Sequence, residues 1–256
     1  EYPTVLGASI FYNKHEVVLD DHTGKIDKVK AEGLWNRCQE LSDITGIPHF
    51  IQMIAEHAEA FDSYIDWFCS IDDKTAFLMD SSEPKALAHA CQYVTEAGVA
   101  DRAIYNSING SILPENIEAL AKSDVNAAIV LAFNPGDPSV SGREKVLTEG
   151  GVAGQEMGML EIAEKCGITR PILDTAATPL GLGSGGSYRE ILACKAIHGL
   201  PTGGAYHNMT VSWTWLKRWK GTKKTPSQQL AGLEGKDALI EQLTHHYLGG
   251  TDGMRQ

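Results

Sequence analysis

Five β-rich runs in this sequence end in Asp or Asn. AFLMD ends at Asp80-Ser81-Ser82, RAIYN at Asn106-Ser107-Ile108-Asn109, and AAIVLAF runs into Asn134-Pro135. PILD ends at Asp174-Thr175, and GGAYHN at His207-Asn208. Asp and Asn are poor strand residues. Taken singly, each reads as a turn former whose side chain bonds nearby backbone. Taken together, they offer carboxylates that accept hydrogen bonds and amides that both donate and accept. That set suits a flat heterocycle with amino and lactam edges. It does not suit a phosphate, which calls for cations or bare backbone N–H groups.

The elements that would hold these residues alternate. Seven short β-rich runs start near residues 4, 49, 76, 102, 127, 171 and 203. Several are continuously apolar, as strands covered on both faces are. Helical patterns separate them. Ile26 to Leu41 stripes Leu34, Trp35, Cys38 and Leu41, and Ser82 to Ala97 stripes Leu87, Ala90, Cys91 and Val94. Pro84 and Pro114 suit first helical turns, and Gly167 and Gly199 suit helix ends. Repeated β–α alternation makes a parallel sheet. The 256 residues match the roughly 250 of a (β/α)8 TIM barrel. The expected fold is therefore α/β, one domain over residues 1–256, with the eighth strand not evident. Ser227 to Leu248 reads as a helix instead. In such a barrel the strand C-termini carry the chemistry, which is where Asp80, Asn106, Asn134, Asp174 and Asn208 fall. His207 alternates with Asn208, so it should face away if the strand runs that far.

Composition narrows the class. The net charge of −11 argues against a nucleic-acid partner. The one basic cluster, Lys217, Arg218, Lys220, Lys223 and Lys224, reads as a solvated loop or a docking surface for an acidic protein. Five widely spaced cysteines without a C-x-x-C pair form neither a disulfide framework nor a zinc site. They read as small core residues of helices in a reducing, cytoplasmic compartment. No apolar run approaches the 18–20 or so residues of a membrane span, and no signal peptide is visible.

The pieces MDSS, YNSINGS, VLAFNPGDPSVSGR, ILDTAATPLG and GGAYHN resemble the H-subunit family of tetrahydromethanopterin S-methyltransferase, from about Glu1 to Leu216. That family includes bacterial relatives that use tetrahydrofolate. More distantly, the same pieces are similar to the pterin-binding barrels of methyltetrahydrofolate:corrinoid methyltransferase and dihydropteroate synthase. The resemblance implies a pterin-binding barrel that moves a methyl group between the cobalamin of a partner corrinoid protein and N5 of tetrahydrofolate or tetrahydromethanopterin. It implies that Asp80, Asn106 and Asp174 bond the pterin ring and that Asn208 lies near N5, with Asn134 a weaker match. No metal of the chain's own is expected, and a homodimer is. The family ends with an eighth strand and a Gly-Ala-rich segment that this sequence does not reach, so the expectation is a trimmed sequence or a barrel edge filled by something else.

Rival signals fare less well. Gly181-Leu-Gly183-Ser-Gly185-Gly186 matches G-x-G-x-x-G, but six residues separate it from the strand end and no acidic residue ends the next strand. A loop at the barrel mouth is the better reading. Nine histidines show no metal-binding spacing; His245-His246 reads as a solvated pair. Trp213, Trp215 and Trp219 suit core packing or an intersubunit contact. A dihydropteroate synthase-like activity would need cations for a pyrophosphate, and the strand ends carry none. A non-catalytic pterin-binding component of a larger complex is the remaining alternative.

Overall fold

The structure is a computed structural model describing residues 3–12, 14–180, 182 and 184–213. Strand β1 (Leu6–Phe11) is followed by a small antiparallel pair, β2 (Val18–Asp20) and β3 (Lys25–Ile26), then α1 (Lys28–Thr45). The alternation continues through β4 (His49–Ile54), α2 (Ala58–Ile71), β5 (Phe77–Asp80), α3 (Pro84–Glu96), β6 (Ala103–Ile108) and α4 (Pro114–Lys122). It ends with β7 (Ala127–Leu131), α5 (Val140–Thr148), α6 (Met159–Lys165), β8 (Arg170–Asp174), α7 (Ser184–His198), β9 (Thr202–Gly203) and α8 (His207–Val211). Seven strands form one parallel sheet in the order β1-β4-β5-β6-β7-β8-β9. This is the expected α/β barrel type; among the described residues β1 and β9 are its edges and no eighth strand joins them.

The helices form for the reasons their sequences suggest. Pro84 and Pro114 sit in first turns, where a missing N–H leaves nothing unpaired. The Asp27 carboxylate caps α1 by accepting from the Lys30 N–H. α3 buries Ala86, Leu87, Ala90, Cys91 and Val94 on one stripe. Each large apolar side chain so buried contributes about 1.5–3 kcal/mol. In α1 the stripe is narrower than expected: Ala31 and Trp35 are buried, while Leu41 is exposed. All five cysteines are free and lie in or at the ends of helices.

The sheet sorts its side chains by parity. Ile51, Met53, Phe77, Met79, Tyr105, Val130 and Leu173 face the helices in the main core. Leu78, Ile104 and Ala127, with Phe50, Ile129 and Ile172, form a separate small cluster on the other face. Successive strand residues alternate faces. Two residues beyond Phe50, Leu78, Ile104 and Ile172 stand Gln52, Asp80, Asn106 and Asp174, which therefore project from the same inner face, above that apolar floor.

Two expectations change. The run Gly203 to Asn208 is not a strand: β9 ends at Gly203, and His207 and Asn208 lie in the first turn of α8. Gly203 and Gly204 favour strand poorly, and the chain turns at once, with Tyr206 N–H donating to Gly204 O and Asn208 N–H to Ala205 O. The alternation of His207 with Asn208 is accordingly helical. The helix expected at Ser227 to Leu248, the basic cluster from Lys217 to Lys224, Trp215, Trp219, Gly181, Gly183 and His245-His246 lie outside the described residues.

Candidate functional site

Three of the anticipated residues occupy strand ends. Asp80 closes β5, and its register partner on β6 is Asn106. Asp174 closes β8, level with Leu131 of β7 and Gly203 of β9. Asn106 is level with Ile129, two residues short of Leu131. Asp174 therefore stands about 7 Å further along the strand direction than Asn106. This offset divides the polar residues into two groups.

The lower group is a hydrogen-bonded row. Ser9 Oγ donates to Gln52 Oε1 at 2.6 Å, and Gln52 Nε2 donates to Asp80 Oδ2 at 2.6 Å. The Asn106 amide also bonds the Asp80 carboxylate. Burial pushes the Asp80 carboxyl above the ordinary range, the Gln52 and Asn106 amides oppose that, and nearby Glu56 adds to it. Glu56 is itself held by Ser82 Oγ at 2.8 Å. Sequence reasoning misses Gln52. The available signal is a long amide in the middle of the apolar strand HFIQMI.

The upper group lines a pocket of about 230 Å³ formed by Leu131, Phe133, Asp174, Ala176, Ala177, Ala205 and Asn208. Asp174 and Asn208 thus share one cavity even though Asn208 arrives on a helix rather than a strand. Asp80 and Asn106 are not among its lining residues. Asp174 Oδ1 accepts from the Ala176 N–H at 2.8 Å. Burial pushes its carboxyl up to about 6, against the pull of that N–H. Asn208 is exposed, with its side chain available to a ligand. Gly204 leaves room beside them: a Cβ there would lie a tight 3.2 Å from Asp174 Oδ1 and 3.2 Å from the Tyr206 ring. Tyr206 is fixed in turn by Thr175 Oγ1 at 2.7 Å and by stacking on Tyr188.

Asn134 serves its own loop. Its Oδ1 accepts from the Gly136 and Asp137 N–H groups, and its Nδ2 donates to Gly142 O at 2.9 Å. It shapes the entry to α5 and does not line the pocket. Away from the pocket, between α5 and α7, one donor atom each from Glu144, Glu190 and Cys194 lies within 4.8 Å of the others. His198 Nε2 is 2.7 Å from Glu144 Oε2, the Cys194 thiol donates to both carboxylates, and burial beside Glu144 pushes the Glu190 carboxyl up to about 7.

A carboxylate and an exposed amide lining one largely apolar pocket can fix the orientation of a flat ring by its donors and acceptors. None of the pocket's lining residues is a cation, so it offers an anionic leaving group no counter-charge. No helix among the described residues is long and apolar enough to cross a membrane.

Comparison with known proteins places the chain in a family. The family model described as the tetrahydromethanopterin S-methyltransferase MtrH subunit matches residues 1–247. The chain is 52% identical over 250 residues to the H subunit of tetrahydromethanopterin S-methyltransferase from Methanosarcina acetivorans, covering 94% of this chain and 79% of that one. The Methanopyrus kandleri counterpart is 47% identical over 234 residues, covering 91% and 72%. That of Methanocaldococcus jannaschii is 44% identical over 220 residues, covering 86% and 68%. The chain belongs to the H-subunit family of tetrahydromethanopterin S-methyltransferase, a family of methyltransferase subunits.

Proposed function

We propose, given that membership, that this methyltransferase binds a tetrahydropterin ring in the pocket between Asp174 and Asn208 and moves a methyl group between its N5 and the cobalt of a corrinoid carried by a partner protein. The observation that supports this most directly is the shared cavity of Asp174 and Asn208 at the strand C-termini. Pockets for complete ligands measure about 300–1,000 Å³. A pocket of about 230 Å³ suits the bicyclic ring, with the rest of the molecule outside. Leu131 and Phe133 supply apolar walls, and Phe133 is 48% exposed at the rim.

In this reading the ionised Asp174 accepts from the ring N3–H and the 2-amino group, which fixes the ring edge. Asn208 then stands near N5. When N5 attacks the methyl carbon, the N5–C bond forms as the carbon–cobalt bond breaks, its electron pair staying on the metal and the N5 proton leaving to solvent. In reverse, N5 must gain a proton or a strong hydrogen bond before the carbon leaves, and the Asn208 amide can donate one without being an acid. The chain's contribution is orientation. Asp80 and Asn106 bond the far edge of the ring or its substituent, below the pocket and along the same inner face. The corrinoid protein as partner, a homodimer, a single barrel domain over residues 1–256 and a cytoplasmic location belong to the same proposal.

The test mixes the protein with methylcobalamin and either tetrahydromethanopterin or tetrahydrofolate and follows loss of the methylcobalamin absorbance together with the methylated pterin. Transfer with one of them identifies the substrate. No transfer with either overturns the reading, and activity with a pterin pyrophosphate would favour the dihydropteroate synthase-like alternative.

A further inference from the structure

Arg143 is the largest fully buried side chain among the described residues, 1% exposed, and the pocket's lining does not include it. It rises from α5, in the segment NPGDPSVSGR, and its guanidinium spends its donors on the backbone that follows Asp174. Nε donates to Thr175 O at 3.0 Å and Nη2 to Ala176 O at 3.4 Å. Nη2 also donates to Ser187 Oγ at 2.9 Å, and Ser187 Oγ donates to the same Ala176 O at 2.9 Å. Nη1 donates to Pro138 O. One planar cation thus ties α5, α7 and the β8 exit together.

The segment it holds needs holding. Ala176 sits at φ +53°, in the left-handed region that a residue with a Cβ enters at a cost of about 1–2 kcal/mol. In that conformation the Ala176 N–H points back to Asp174 Oδ1 at 2.8 Å. Arg143 fastens the carbonyl of Ala176 while Asp174 receives its N–H. Burying a guanidinium is itself costly and calls for charge compensation. The carbonyl and hydroxyl oxygens that accept from it supply most of that compensation, and Glu190 on α7 adds a longer-range attraction.

The same geometry accounts for one glycine of a motif singled out by the sequence. The last glycine of the G-x-G-x-x-G run, Gly186, lies inside α7, where a Cβ would come within 2.7 Å of Arg143 Nη1 and of Pro138 O. Gly186 is a glycine because the guanidinium passes against it.

We propose that Arg143 is a positioning residue for the pterin-binding carboxylate: by clamping Thr175 and Ala176 it holds the backbone N–H that orients Asp174, with Gly186 as its clearance. This rests on the assignment of Asp174 as a pterin ligand. The clamp makes a specific demand. If it loosens, Asp174 loses an N–H donor that favours its ionised form. Pterin binding then weakens, and the pH below which binding is lost moves upward.

The experiment measures tetrahydropterin affinity against pH for the full chain carrying Arg143→Lys, Ser187→Ala or Asp174→Asn, with Val94→Ala as a remote core control. Circular dichroism and thermal melting report folding. Arg143→Lys keeps the charge but loses the fork. It is expected to weaken binding about tenfold or more at neutral pH, the scale of a lost hydrogen bond to a charged group, and to shift the acid limb upward. Ser187→Ala removes one strand of the clamp and should move the limb the same way by less. Val94→Ala, lowering stability, should leave the limb in place. A folded Arg143→Lys protein with the parent affinity and acid limb overturns the clamp. If Arg143→Lys does not fold, an unmoved limb in Ser187→Ala does so. If Asp174→Asn binds pterin as the parent does, the pterin assignment itself fails, a different outcome from a clamp failure.

Discussion

Gln52 Nε2 donates to Asp80 Oδ2 across two neighbouring strands at 2.6 Å, while Ser9 Oγ occupies the other end of the same amide. The carboxylate, which accepts, draws the Nε2 end of Gln52, and the Ser9 hydroxyl, able to donate or accept, donates to the Oε1 end. Asp80 is therefore held as an acceptor, oriented along the inner face of the barrel beside Asn106.

Gln52 should consequently matter to a ring that Asp80 touches. Gln52→Leu keeps the volume and removes the donor, leaving a buried carboxylate with fewer partners. The expected result is a fall in tetrahydropterin affinity of about tenfold, measured by titration calorimetry. Gln52→Glu should be worse at neutral pH, because two carboxylates at this separation cannot both ionise. Affinity unchanged in both would detach this row from ligand binding.

Asp174 carries a cost that can be measured without any ligand. Its carboxyl is pushed up to about 6 by burial, so the native state holds this proton more tightly than the unfolded chain, where an Asp titrates near 3.9. Stability is then lost as pH rises through the window from roughly 4 to 6. Asp174→Asn never ionises. It should match the parent near pH 4 and exceed it at pH 7.5 by an amount on the order of 1–3 kcal/mol, seen as a higher melting temperature. The same variant should bind pterin poorly, a site that trades stability for function.

Gly204 is a third handle. Its absent Cβ leaves 3.2 Å to both Asp174 Oδ1 and the Tyr206 ring, so in Gly204→Ala these neighbours must give by a few tenths of an ångström. Overpacking of this kind costs about 1–3 kcal/mol. The expected loss appears mainly in pterin affinity, since Gly204 is exposed at the pocket edge. A loss of melting temperature with affinity intact would contradict the placement of Gly204 beside the bound ring.

Much of this is legible in the residues. Continuous apolar runs mark strands with both faces covered, and parity within AFLMD, RAIYN and PILD already puts Asp80, Asn106 and Asp174 on one face. Asn208 is legible as a site residue, but its element is not. Tyr-His-Asn after two glycines looks like an extending strand, and only backbone bonding from Asn208 N to Ala205 O shows the turn. The hairpin at Val18–Asp20 and Lys25–Ile26 is too short to leave a periodic signal. Gln52 and Arg143 escape sequence reasoning for a different reason. Their roles depend on Asp80, Thr175 and Ala176, which lie 28 to 33 positions away, and no local pattern carries that information. Asn134 shows the converse: a strand-exit Asn that bonds only its own loop and the first turn of the helix that follows.

The central claim is that Asp174 holds the ring and Asn208 serves N5 in one pocket. The most direct measurement compares methyl-tetrahydropterin affinity with the rate of methyl transfer from it to Co(I) cobalamin, the direction in which N5 must leave, in Asn208→Ala and its parent. A donor that acts on the reacting nitrogen should cost about a hundredfold in turnover while affinity changes far less, Asp174 still holding the ring. Equal losses in affinity and turnover, or transfer at the parent rate, would contradict that division of roles.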